Sequence, residues 1–210
     1  MLQFSNTKKA YAHDPIFEIP SLHLDAGVYW LQGINGSGKT TLLRMIAGMS
    51  PFDGDIIFDG ISQHKSPLPY RKKISWAEAE PSYPPFITGR DLVLYYQEIR
   101  KAPDQQVDKL IVFSGLQKKL ADPTGTYSSG MVKRLSLLLA FVGHVPLILL
   151  DEPLSTLDSE AVHTLPDLMD EYRQQYGTSF IFSSHQPFLS ETLAIDKKLV
   201  ITERTIHLSL

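Results

Sequence analysis

The stretch "GINGSGKTT", Gly33 to Thr41, packs glycines, small polar residues and a lysine between two apolar runs, "GVYWLQ" and "LLRMIAGM". It fits the pattern G-x-x-x-x-G-K-[ST] at every fixed position. Glycines let successive backbone N–H groups turn inward on one anion, and the positive end of a following helix adds to that attraction. In such an arrangement Lys39 reaches the β- and γ-phosphates of a nucleotide, and the Thr40 hydroxyl ligates Mg²⁺. Gly33, Asn35, Gly36, Ser37, Gly38, Lys39, Thr40 and Thr41 are therefore the expected phosphate-binding residues.

A cradle of this kind binds but does not hydrolyse. The acids for hydrolysis come in "PLILLDEPLSTLD", where Leu147 to Leu150 predict a buried strand delivering Asp151 and Glu152 to its exposed tip. There Asp151 can hold the Mg²⁺ shell and Glu152 can polarise the attacking water, a positioned general base contributing roughly 10²–10⁴-fold in rate. Another apolar strand, "FIFSSHQ", ends in Ser183, Ser184 and His185 and brings an imidazole to the same sheet edge, where a γ-phosphate contact is expected. Lys39, Glu152 and His185 form the expected catalytic set, with Thr40 and Asp151 on the metal.

These residues need a scaffold that places loop ends side by side. "LQFSNT", "IFEIPSLHL" and "GVYWLQ" predict strands, with "LDAG" as a turn. "TTLLRMIAG" has helical spacing and stops at Gly48, and "GDIIFDG" is a short strand between glycine turns. "GRDLVLYYQEI" and "QVDKLIVFSG" predict helices after the proline-rich "PSYPPF". "LSLLLAFVGHVPLILL" predicts a buried helix, a turn at "GHVP" and a buried strand. "SEAVHTLPDLMDEYRQQYG" is helical, with Pro166 kinking it or lying in its first turns. "TSFIFSS" predicts a strand, "QPFLSETL" a short helix, and "KLVIT" with "TIHLSL" a closing strand pair. Strands alternating with helices indicate an α/β fold with a mostly parallel sheet. We expect one domain over 1–210, with a core from about 1–80 and 145–210, an antiparallel β part at the start and a helical subdomain at about 85–140.

Bulk properties exclude several classes. The chain has 210 residues, 43% hydrophobic and 20% charged, as is ordinary for a globular protein. With no cysteine, disulfides, thiolate metal sites and cysteine nucleophiles are excluded. A net charge of −3 gives no drive towards nucleic acid, and no nucleic-acid partner is expected. The basic run Arg71-Lys72-Lys73 reads as a solvated face. The apolar stretch from Leu135 to Leu150 falls short of the roughly 20 residues a membrane span needs, and His144 and Pro146 interrupt it. The opening "MLQFSNTKKAY" lacks the apolar core of a signal peptide, so a cytoplasmic location is expected.

"GINGSGKTT", "LLDEP", "STLD" and "SSH", in that order, together resemble the nucleotide-binding domain of ABC (ATP-binding cassette) proteins over nearly the whole chain. The most specific piece is "YSSGMVKRLSLLLAF", which is similar to the family's signature motif and helix and is absent from generic P-loop ATPases. The resemblance implies a P-loop NTPase core, ATP and Mg²⁺ as cofactors, and a head-to-tail dimer sandwiching two ATP molecules. Ser128, Ser129 and Gly130 of one subunit would then close over the γ-phosphate held by the other. Asp158 matches a position carrying contacts across that dimer, and Tyr11 matches the aromatic that stacks on adenine. Two positions depart from the family. The signature usually reads leucine-serine-glycine-glycine-glutamine, against Tyr127-Ser128-Ser129-Gly130-Met131 here. The family's glutamine that contacts Mg²⁺ and water falls at Ala79, flanked by Glu78 and Glu80.

The function this implies is an ATP-hydrolysing subunit that powers a membrane transporter through dimer closure. Its transmembrane permease would be a separate polypeptide, placing the subunit at the inner face of the cell membrane. The dimer could pair two copies of this chain or two different cassettes, and either import or export remains open. A soluble cassette acting on ribosomes or DNA is the alternative, as is a regulatory cassette that hydrolyses weakly, which Lys39, Asp151, Glu152 and His185 argue against and Ala79 leaves open.

Overall fold

The computed structural model describes residues 1–12, 14–155, 159–184 and 193–209, with side chains at all of these except 159–161. The chain opens with β1 (Leu2–Tyr11), β2 (Asp14–Leu24) and β3 (Val28–Gln32), followed by α1 (Lys39–Ile46). Next come β4 (Asp53–Phe58), β5 (Ile61–Ser62), α2 (Pro67–Arg71) and β6 (Ile74–Ala77). Three helices follow: α3 (Gly89–Arg100), α4 (Asp104–Ser114) and α5 (Ser129–Phe141). The remainder is β7 (Leu147–Leu150), α6 (Ser159–Tyr176), β8 (Ser179–Ser183), β9 (Lys197–Thr202) and β10 (Thr205–Ser209).

The strands form two sheets. One is antiparallel, in the order β2-β1-β4-β5. The other runs β10-β9-β3-β8-β7-β6, parallel throughout except for β10, which turns back on β9. Pro20 sits in β2, an edge strand, where a residue without an N–H leaves no ladder bond unmade. The strand predicted over "LQFSNT" runs on to Tyr11, because Lys8 and Lys9 continue to pair with Glu18 and Phe17.

The mainly parallel sheet carries a core on each face. Along β7, Leu147 and Leu149 join a cluster with α1 and the antiparallel sheet, while Ile148 and Leu150 join one with α5 and α6. Burial on both faces explains the unbroken "LILL". Pro166 lies well inside α6, beyond its first turn. Sequence patterning missed α2 and β6: both are short, and β6 is "ISWA", lacking the alternation that marks a half-buried strand. The predicted helix "QPFLSETL" lies outside the described residues, apart from Leu193. Among the described residues no helix is long and apolar enough to cross a membrane.

Candidate functional site

The order β3-β8-β7 brings three loop-bearing strand ends together on one edge of the sheet, the carboxyl edge where open α/β sheets bind ligands. The loop after β3 reaches α1 through Gly36 (φ 78°) and Gly38 (φ 99°), both left-handed conformations that disfavour a side chain. At Gly38 a Cβ would also come within 2.8 Å of the Phe17 ring, so the turn is closed from outside as well. Lys39 opens α1 and is buried, its ammonium donating to the carbonyls of Gly33 at 2.8 Å and Ile34 at 3.3 Å. The buried Ser37 Oγ has no hydrogen-bond partner among the described residues.

Across the sheet, β7 pairs with β8 so that Leu150 lies opposite Phe182, which sets Asp151 level with Ser183. The Ser183 hydroxyl uses both its capacities: it donates to Asp151 Oδ1 at 2.7 Å and accepts from the Glu152 N–H at 2.8 Å. Glu152 adopts φ 44°, a left-handed conformation rare for a residue with a Cβ. Such strain concentrates at functional sites. Asp151 Oδ2 is buried with no partner among the described residues.

One cavity of about 360 Å³ joins the two parts, lined by Asn35, Gly36, Gly38, Lys39, Thr40, Thr41, Asp151 and Glu152. Its donor set fits Mg²⁺. Thr40 offers a hydroxyl and Asp151 an unengaged carboxylate oxygen, both hard oxygen ligands. Among the described residues no cluster of three or more His, Asp or Glu could hold an ion alone, and Mg²⁺ typically completes its shell with phosphate oxygens and water.

Ser128 caps α5, its hydroxyl accepting from the Met131 N–H at 3.3 Å. Ser128 and Ser129 are exposed, and neither they nor Gly130 line the cavity. Tyr11 is half exposed and stands at the end of β1 beside Thr41. Hydrogen bonding to Thr41, then to Ser50, lowers its hydroxyl pKa, and the Lys9 ammonium lies 4.5 Å from its ring centre. His185 and Asp158 lie outside the described residues.

Sequence reasoning missed two polar residues at this edge. Ser183 carried no signal beyond its place at a strand end next to the acidic tip. Lys133, inside "MVKRL", is 1% exposed, and its ammonium donates to the carbonyls of Glu78 at 2.6 Å, Ala79 at 3.3 Å and Asp151 at 2.7 Å. Burial lowers its pKa to about 8, against the attraction of Asp151, Glu152 and Glu78.

The family model for ABC transporters matches residues 19–155. A cytochrome c biogenesis ATP-binding export protein, CcmA of Legionella pneumophila (strain Lens), is 34% identical over 179 residues, covering 84% of this chain and 88% of that protein. The lipoprotein-releasing system ATP-binding protein LolD of Idiomarina loihiensis is 30% identical, over 77% of this chain and 75% of its own. Among solved structures, an ATP-binding subunit of an ABC transporter superposes with TM-score 0.86 at 21% identity, covering 98% of this chain and 87% of that one. A dimeric ATP-binding cassette in a post-hydrolysis state, bound to ADP and Pi, superposes with TM-score 0.84 at 17% identity, covering 98% and 96%.

Proposed function

This chain belongs to the ABC transporter family, and from that premise we propose the part that each residue of the cavity plays. The chain is an ATP-binding, ATP-hydrolysing subunit that powers membrane transport. The backbone N–H groups from Gly33 to Thr41 hold the phosphates, and Lys39 exchanges its two carbonyl partners for β- and γ-phosphate oxygens. Thr40 and Asp151 hold Mg²⁺, which supplies charge neutralisation on the phosphates when bound. Glu152 accepts a hydrogen bond from the attacking water and orients it in line with the γ-phosphorus. Ser183 holds both acids in place from the neighbouring strand. His185 contacts the γ-phosphate, and Tyr11 stacks on the adenine ring.

The exposed Ser128 and Ser129, with the half-buried Gly130, serve a second subunit, either a copy of this chain or another cassette, with Asp158 contributing contacts across the dimer. Small hydroxyls at the start of α5 would meet the γ-phosphate at a helix N-terminus. Residues 85–140 act as a helical subdomain carrying this motif, and a separate transmembrane permease turns its motion into transport. On this reading the subunit sits at the inner face of the cell membrane.

What supports the reading is the single cavity that joins the phosphate cradle to the acidic tip of β7. Glu152→Gln tests it. ATP binding should persist while hydrolysis falls by roughly 10²–10⁴-fold, and ATP should shift the variant to a dimer in sedimentation velocity. Hydrolysis at the parent rate would remove Glu152 from the role of base. A parent chain no faster than the variant, even with its membrane partner, would point instead to the weakly hydrolysing cassette.

A further inference from the structure

Lys133 has no part in the chemistry above, yet it is among the largest fully buried side chains in the molecule. A lysine there calls for an explanation, because taking an ammonium out of water is costly unless it is closely compensated. The compensation comes from main chain. All three N–H bonds of the ammonium go to carbonyl oxygens, those of Glu78, Ala79 and Asp151. An apolar side chain of similar length would fill the same space but leave those three carbonyls without this donor. The reason for an ammonium at this position therefore lies with what it bonds.

The acceptors supply a reason. Glu78 and Ala79 lie just past the end of β6, on the segment leading through "PSYPPF" to α3. Asp151 lies just past the end of β7, next to Glu152. Lys133 itself stands about one turn into α5 from Gly130. One ammonium thus ties together the start of the helix that follows the exposed serines, the exit of β6 and the tip that bears both acids. The β6–β7 ladder continues beside it, with the Asp151 N–H donating to Ala77 O at 2.9 Å. Ala79 has no polar side chain of its own to make such a link.

We propose that Lys133 is a positioning residue for ATP hydrolysis, clamping the Glu78–Ala79 main chain and the Asp151 carbonyl to the first turns of α5 so that Asp151 and Glu152 hold their alignment. A displacement of Ser128–Gly130 on closure with a second subunit is then transmitted along α5 to the acids. The proposal rests on the assignment of Asp151 and Glu152 to the hydrolytic site.

The test is steady-state ATP hydrolysis, equilibrium ATP binding and thermal unfolding of the full chain and of its Lys133→Met and Lys133→Gln variants, with Glu152→Gln as control. Lys133→Met should lower Tm modestly, since three carbonyls lose their donor, yet bind ATP within about threefold of the parent, while kcat falls about 10- to 100-fold with KM little changed. Lys133→Gln, whose amide can still donate to carbonyls, should recover part of that kcat. A Lys133→Met variant that turns over like the parent overturns the proposal. So do variants in which Tm, ATP binding and kcat decline in step, since that marks a merely structural role. If Lys133→Met does not fold, Lys133→Gln decides: reduced kcat at parent ATP affinity supports the clamp, and parent kcat overturns it. Glu152→Gln hydrolysing at the parent rate would overturn the site assignment itself, a failure separate from that of the clamp.

Discussion

The phosphate cradle and the acidic tip of β7 face each other across one cavity but are held in different ways. The cradle is local: Gly33 to Thr41 are contiguous, and even the Lys39 ammonium is satisfied within its own loop by Gly33 and Ile34. The tip is held from afar. Asp151 and Glu152 take their positions from Ser183, on the neighbouring strand, and the Asp151 carbonyl is bonded by Lys133 of α5. On the proposed assignment, binding is therefore a property of one short segment, whereas hydrolysis depends on strands and a helix that meet only after folding.

The comparison can be broken at several points. Lys39→Ala, on the local side, should weaken ATP binding by about 100-fold in calorimetry, as charge-assisted bonds to phosphate contribute ~1.5–3 kcal/mol each. It should leave Tm nearly unchanged, because the lost partners are two carbonyls of a loop open to water. Ser183→Ala, on the distant side, should lower hydrolysis about tenfold at unchanged ATP affinity, the usual scale for removing the partner of a carboxylate with the metal-ligating role proposed for Asp151. Equal losses of binding and hydrolysis in that variant would show that the two parts are not separable.

Thr88→Ala is the smallest expected effect and the control for both. Thr88 caps α3, accepting from the Asp91 N–H at 3.1 Å, while Asp91 accepts from the Thr88 hydroxyl at 2.6 Å and from its N–H at 3.1 Å. Losing the cap should cost about 1 kcal/mol of stability without changing ATP affinity. The Thr88 bonds hold the Asp91 carboxyl below its ordinary value of 3.8. Its contribution is present above that value and fades as pH falls through the lowered one. The Tm gap between parent and variant should accordingly narrow in acid.

The same contrast decided what the sequence could disclose. The glycine loop from Gly33 to Thr41 was legible because the pattern it fits needs particular residue types at fixed spacing along the chain. The run "LILL" before Asp151 and Glu152 was legible too, since a strand buried on both faces leaves no polar alternation. Ser183 and Lys133 were not. A serine at a strand end is commonplace, and a lysine in "MVKRL" reads as a surface residue until α5 is seen packed against the exits of β6 and β7. β6 itself, brief and without alternation, acquires its identity from pairing with β7. Tyr11 is proposed through family likeness alone, and the fold adds the neighbouring Thr41.

The left-handed backbone at Glu152 sets a limit on how this protein can be improved. A Cβ in that conformation costs on the order of 1 kcal/mol that glycine would avoid. Selection for heat resistance alone would thus favour replacing the very residue assigned to activate water. A thermostability screen run without an activity readout should drift towards a sturdier but inert cassette, so Glu152 is the position to hold fixed in any such campaign.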